Sequence, residues 1–343
     1  MKRARTLALL AVATAATVSM TTGPVEARTG AASTATVSKS GKTVRYAWLH
    51  SCVKGDFTRP CGGWKLTLSN GKTVTLADAA VHPRLADGKV DKFSNAPLGI
   101  SGDGGRVVYF RKSDRRLVWR NVAGGPARAL PGKAAKVPKG LGMADVSIKL
   151  SRDGDRVAID YADAGGSLPS LLVDLRGGGT AKLPGAEVVQ GFSPDGSHVL
   201  TGGLTEDNTT ELTVYDTEGN AGESRVVPQV VSNNVPIALA DDQVTVGLVI
   251  TSLTKGRSTL RQYDLSTDAV SPAFDLKVPI NETPYRLDWD ENGKMVVWGV
   301  RVNASGFADR ATARRVDPST GELTKVDSFP MKPDVWTWWL PGE

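Results

Sequence analysis

One four-residue turn returns along this chain and constrains everything it can fold into. It reads Ser101-Gly102-Asp103-Gly104, Ser151-Arg152-Asp153-Gly154 and Ser193-Pro194-Asp195-Gly196, with weaker echoes at Ala240-Asp241-Asp242-Gln243 and Asp290-Glu291-Asn292-Gly293. The copies recur every 42 to 50 residues. Apolar runs follow them at once, as in Arg106-Val107-Val108-Tyr109-Phe110, Arg156-Val157-Ala158-Ile159 and Lys294-Met295-Val296-Val297-Trp298. In such a turn Ser can bond the backbone two residues on, Pro presets φ, Asp tolerates the bridge region and Gly accepts positive φ. The segment therefore closes a tight antiparallel hairpin. Near-continuous apolarity in the strand behind it implies burial on both faces.

A second landmark keeps step with the first. A later strand ends in an apolar-Asp pair at Leu171-Leu172-Val173-Asp174, Leu212-Thr213-Val214-Tyr215-Asp216 and Leu260-Arg261-Gln262-Tyr263-Asp264. From the turn Asp to this Asp the offset is 21 residues in two repeats (153 to 174, 195 to 216) and 22 from Asp242 to Asp264. Two landmarks at equal spacing define a supersecondary unit, and a unit of this length built from short strands is a β-propeller blade. The 37 Gly and 19 Pro fit many strands joined by turns.

The termini complete the count. Val335-Trp336-Thr337-Trp338-Trp339-Leu340-Pro341-Gly342 reads as the innermost strand of a blade that stops at its turn. The N-terminal part supplies the missing strands at 41 to 48, Trp64 to Leu68 and Thr73 to Leu76. The expected fold is all-β: a six-bladed β-propeller of four-stranded antiparallel blades, closed by one C-terminal strand with three N-terminal strands. Closure of this kind removes open sheet edges. The expected organisation is a signal peptide at 1–27, a small, polar, disordered lead-in at 28–40, and a single propeller over 41–343.

The leader carries Lys2, Arg3 and Arg5, an apolar stretch from Leu7 to Val18, and Val25-Glu26-Ala27 ahead of a cleavage point before Arg28. Twelve apolar residues fall short of the roughly 20 that span a bilayer. The mature chain is expected outside the membrane, secreted and extracellular, acting as a monomer. Cleavage leaves 39 basic and 35 acidic residues, a mild surplus of +4 that gives no argument for nucleic acid. Cys52 and Cys61 are the two cysteines, and in an oxidising compartment they are expected to form a disulfide. With His50, His82 and His198 as the remaining histidines, neither a metal nor a cofactor is expected.

The Ser-x-Asp-Gly turns, with an apolar strand behind them and an apolar-Asp strand after that, resemble the WD-like repeats of the TolB-type propeller family over roughly residues 98 to 329. TolB proteins carry a further α/β domain before their propeller. Similar repeats form the propeller of prolyl oligopeptidase-like enzymes, whose catalytic domain needs a Gly-x-Ser-x-Gly elbow that this sequence lacks. The abundance of Ala, Gly, Arg and Thr behind an Ala-rich leader resembles secreted actinobacterial proteins.

Blades specify architecture, whereas function sits in their loops. The segment from His50 to Gly63 is expected to be a disulfide-fixed loop bearing Lys54, Asp56, Phe57 and Arg59, a candidate binding surface. The run from Arg111 to Arg116 reads as a solvated hairpin tip. Trp336 and Trp338 are expected to share one strand face and Trp339 the other, packing between blades. Asp103, Asp153 and Asp195, with Gly104, Gly154 and Gly196, are structural turn residues and no catalytic residue is assigned. Two functions remain open. One is a secreted, non-catalytic module that binds an extracellular or envelope protein or a glycan. The alternative is a propeller enzyme, a lyase, lactonase or hydrolase with a carboxylate site at the central channel.

Overall fold

The structure, a computed structural model, describes residues 42–163, 165–252, 257–290 and 292–343. The leader and lead-in lie outside the described residues. Six antiparallel sheets follow one another in a ring. Blade 1 holds Leu98–Ile100, Arg106–Phe110, Leu117–Asn121 and Arg128–Ala129, and blade 2 holds Val146–Leu150, Arg156–Tyr161, Ser170–Asp174 and Thr180–Leu183. Blade 3 runs through Glu187–Phe192, His198–Leu204, Thr210–Asp216 and Ala221–Val226. Blade 4 comprises Ile237–Leu239, Thr245–Ser252 and Arg257–Asp264, with its outer strand split into Ala269–Val270 and Phe274–Leu276 around Pro272, which has no N–H to donate. Blade 5 holds Glu282–Trp289, Met295–Val302, Ala308–Val316 and Leu323–Pro330.

Blade 6 is the composite one. Val335–Trp339 pairs with Val44–Lys54, which pairs with Phe57–Leu68 and then Thr73–Thr75. The register sets Ala47 opposite Trp339, Trp48 opposite Trp338 and Leu49 opposite Thr337, and then skips Trp336 so that His50 meets Val335. That bulge reverses the face of Trp336. Trp336 therefore joins Trp339 against the apolar cluster between blades 6 and 1, while Trp338 packs between blades 5 and 6. The expected sharing of one face by Trp336 and Trp338 is corrected on this point. Strict alternation holds only where the ladder is unbroken.

Apolar clusters fill the seams between consecutive blades. Phe110, Leu117, Ile148 and Ile159 meet between blades 1 and 2, and Leu248, Tyr263, Leu200 and Val214 between blades 3 and 4. Trp64 and Tyr109, both wholly buried, anchor the seam where the chain's two ends meet. Each such side chain contributes about 1.5–3 kcal/mol by leaving water, so the seams hold the ring together.

The repeated turn has one internal wiring. Ser101 Oγ donates to Asp103 Oδ1 at 2.5 Å and accepts the Arg106 N–H at 2.9 Å, while the same Asp103 oxygen accepts the Gly105 N–H at 2.7 Å. The pattern returns in Ser151 with Asp153 (2.6 Å) and in Ser193 with Asp195 (2.6 Å). The serine thus accepts the N–H five residues on rather than two, the Asp carboxylate accepts the N–H between them, and the N–H two residues on donates to the next blade, from Asp103 to the Arg152 carbonyl oxygen and from Asp195 to Asp241 Oδ1. In the blade 5 echo Asp290 stands where the serine would be and accepts the Asn292 and Lys294 N–H groups itself at 2.9 and 3.0 Å. In blade 4 Gln243 takes the positive φ of +69° that Gly takes elsewhere.

Candidate functional site

Antiparallel blades put the links between second and third strands, and those between blades, on one end of the ring. The Ser-x-Asp-Gly turns fall on the other end. Each end carries a distinct feature.

On the interblade end, the segment from His50 to Gly63 is not the loop expected of it. Strand pairing runs unbroken from Ser51 opposite Pro60 to Lys54 opposite Phe57, so the excursion is a β-hairpin closed at Gly55-Asp56. The Cys52–Cys61 disulfide crosses this hairpin with its Cα atoms 5.9 Å apart. Gly55 at φ +62° supplies the left-handed turn that a two-residue closure needs. Lys54 and Asp56 are exposed at the tip, and Arg59 is half-buried on the returning strand. Phe57 is 66% exposed and meets Phe93, 57% exposed, edge to face with ring centroids 6.2 Å apart. Val53, at 78% exposure, stands on the same hairpin. Phe93 comes from the connection between blades 6 and 1, so two segments far apart in sequence share this exposed apolar surface.

The basic run at the blade 1 tip is internally paired. Arg111 holds Asp114 through two bonds of 2.9 and 2.5 Å, which lowers the Asp114 carboxyl to about 2. The turn carboxylates Asp103, Asp153 and Asp195 are engaged with their own serines and backbone, as described above.

On the turn-bearing end, the channel opens into a chamber of about 330 Å³. The innermost strands line it because their alternate residues face the axis. Lys149, Gly191, Ala238 and Asp288 stand two residues ahead of the repeated turn in blades 2 to 5, and all four line the chamber. This common offset was the sequence signal for the channel wall, visible once the repeats are aligned on their turns. Arg152, from the second position of the blade 2 turn, and Gln190 add to it.

The charged groups there are unequally satisfied. Arg286 pairs with Asp288. Glu343 accepts hydrogen bonds from the Tyr285 hydroxyl and, at 2.7 Å, from the Leu340 N–H. Burial pushes the Glu343 carboxyl above its ordinary range. Burial, the Glu343 charge and that hydrogen bond together push the Tyr285 phenol upward. Arg152 Nη1 donates to the Trp289 carbonyl oxygen at 2.9 Å. Burial depresses the Lys149 ammonium, and the charges that act on it do so without a hydrogen bond.

The chamber thus gathers two acidic side chains, Asp288 and Glu343, both already engaged. Among the described residues no group of three or more His, Cys, Asp or Glu is arranged to hold a metal ion. No helix among them is long and apolar enough to cross a membrane.

The chain is a six-bladed β-propeller whose blades have four strands each, one with its outer strand split. No family model matches its sequence, and no curated protein does. Its fold is similar to that of TolB from Acinetobacter baumannii, with a TM-score of 0.49 and 14% identity over 88% of this chain and 67% of that one. An oligogalacturonate lyase in complex with manganese gives a TM-score of 0.42 and 12% identity over 84% of this chain and 75% of the lyase. A chain of a nidogen/laminin complex gives 0.42 and 9% over 83% and 92%. At these identities the likeness is one of fold alone.

Proposed function

We propose that this protein is an exported, non-catalytic propeller that binds another protein at the cell envelope or outside the cell, through its interblade end. The single observation that carries the reading is the exposed Phe57–Phe93 pair on a disulfide-clipped hairpin. Two phenylalanines that remain wet in the free protein gain their burial only against a partner. A hairpin held by a covalent cross-link loses little further freedom on docking, which favours affinity. Arg59 beside Phe57 adds the residue pairing common at interface hot spots. The edge-to-face rings offer no single flat platform of the kind a sugar ring stacks on, so a protein partner fits better than a glycan. Export rests on the basic head and apolar core of residues 1–27.

The enzymatic alternative asks for convergent carboxylates free to act in the channel. Asp288 and Glu343 are committed to Arg286 and to Tyr285 with Leu340, which favours the binding reading.

Photo-crosslinking from position 57 of the mature protein in cell-envelope fractions tests the proposal, with a crosslinker at Glu218 on the opposite end as control. A discrete adduct from position 57, absent from the control and lost with Phe93→Ala, is the expected result. Equal labelling from both positions overturns it.

A further inference from the structure

Two cations that line the channel chamber, Lys149 and Arg152, have no carboxylate in ion-pair contact among the described residues. The third lining cation, Arg286, takes Asp288 for itself. Arg152 is bonded to a neutral carbonyl oxygen. Glu343 acts on Lys149 only across a distance, and so does Asp160, whose oxygens are held by Ser170 Oγ at 2.7 Å and the Tyr161 and Val189 N–H groups. Lys149 therefore sits in a site where burial works against its charge, and Glu343 and Asp160 support that charge only from a distance, without contact. A methionine would fill the same strand position without that penalty. A lysine at this position without a contacting partner in the fold points to one that arrives from outside.

The walls specify the rest of that partner. Leu150, Phe192, Leu200, Ile237 and Leu287 make one part of the lining apolar beside its polar groups, while Gly191 and Ala238 leave the space open. A cavity of about 330 Å³ lies at the small end of ligand sites. We propose that the chamber binds a small carboxylate with an apolar body, its carboxylate held by Lys149 and Arg152 and its apolar part seated against Leu150, Phe192 and Leu287. Gln190 supplies a further hydrogen-bonding side chain at the rim. This site lies at the opposite end of the ring from the Phe57–Phe93 surface and stands independently of it.

The test is a fluorine NMR titration of the mature protein with 3-(4-fluorophenyl)propionate, run beside its neutral amide. Saturable binding of the carboxylate, weaker by about tenfold or more for the amide, is expected from a charge-reading site. Lys149→Met and Arg152→Met should each weaken carboxylate binding by about tenfold or more. Lys149→Met should at the same time melt no lower than the wild type, so lost binding is not lost folding. Phe57→Ala with Phe93→Ala should leave the titration unchanged, which separates this site from the protein-binding surface. Equal affinity for acid and amide, unchanged affinity in Lys149→Met, or no saturable binding by either compound overturns the proposal.

Discussion

Gly104 and Val44 touch through their backbones where blade 1 meets blade 6. The Val44 N–H donates to the Gly104 carbonyl oxygen at 2.8 Å, and a β-carbon on Gly104 would overlap the Val44 carbonyl oxygen and stand 2.8 Å from its nitrogen. Gly104 also has φ +72°. The blade 1 turn is thus pressed onto the start of the strand Val44–Lys54 in blade 6, and no side chain fits between them. Gly104→Ala is expected to destabilise the fold by about 2–4 kcal/mol, combining left-handed strain with a backbone clash. Gly293 has the same role in blade 5 at φ +66° with nothing within 4 Å, so Gly293→Ala should cost only about 1 kcal/mol. Equal losses in urea unfolding of the two variants would show that the contact with Val44 is slack.

Closure also depends on the C-terminal strand. Val335–Trp339 pairs with Val44–Lys54, and Met331 and Leu340 are buried beside Phe329 and Trp48. Deleting residues 331 to 343 would remove this strand, leave the inner edge of Val44–Lys54 unpaired and uncover the packing against blades 5 and 1, at a cost of several kcal/mol, on the order of 25 cal/mol for each Å² of apolar surface returned to water. A truncated chain melting at the wild-type temperature would refute the closure.

Cys52 and Cys61 should be bonded in the mature protein. A covalent loop of this length contributes about 3 kcal/mol in the chain-entropy model. The hairpin tip, with few buried side chains, should fray on reduction while the blades stay intact. Hydrogen exchange is expected to quicken at Val53 to Thr58 after reduction and to remain unchanged at Val107 to Phe110. Two free thiols by mass spectrometry in protein taken from the medium would exclude the bond.

The ring was legible in the sequence because its turns use residue types that few other structures need. Ser151, Asp153 and Gly154 each answer a local hydrogen-bonding or φ requirement, and local requirements leave local signatures. The hairpin was less legible. Gly55, Pro60, Gly62 and Gly63 read as loop residues, yet cross-strand pairing and the Cys52–Cys61 bond keep the segment extended. The Phe57–Phe93 contact left no signal at all, since it joins positions from separate connections. For the chamber, the offset of two residues before each turn was present in the sequence, but only the ring geometry says that these positions converge.

Acid should loosen the ring through its outer turns. The Gly177 and Arg176 N–H groups hold Asp174 below the ordinary carboxylate range, and the Asn220 side chain and N–H do the same for Asp216. A folded-state value below the unfolded one means that stability is fully present above the ordinary value of 3.8 and is lost as pH falls through the lowered values. These carboxylates are near the surface, so each contributes little alone. The melting temperature is expected to be flat from about pH 7 to 5 and to fall below about pH 4, less steeply in Asp216→Asn. A melting temperature unchanged down to about pH 2 would remove the turn carboxylates from the account.

Blades 1 and 2 are tied by a pair that should behave asymmetrically. Arg106 Nη1 donates to Asp155 Oδ1 at 2.7 Å and to the Gly154 carbonyl oxygen at 2.6 Å, and its guanidinium lies 4.9 Å from the centre of the Trp119 ring. The two side chains are 17% and 6% exposed, so water does little to screen them. Arg176 also reaches Asp155, but its side chain is 77% exposed and can return to solvent. Removing one member leaves the other charged and poorly hydrated, so Asp155→Ala is expected to destabilise by about 2–4 kcal/mol. Replacing both members, Arg106→Met with Asp155→Leu, removes that penalty together with the attraction. The double variant should be more stable than Asp155→Ala alone, because a pair this well buried gives back in desolvation much of what it gains in attraction. Urea unfolding of the wild type, the double variant, its two single variants Arg106→Met and Asp155→Leu, and Asp155→Ala decides the matter: losses of the two singles that simply add in the double variant would mean that Arg106 and Asp155 do not act as a pair.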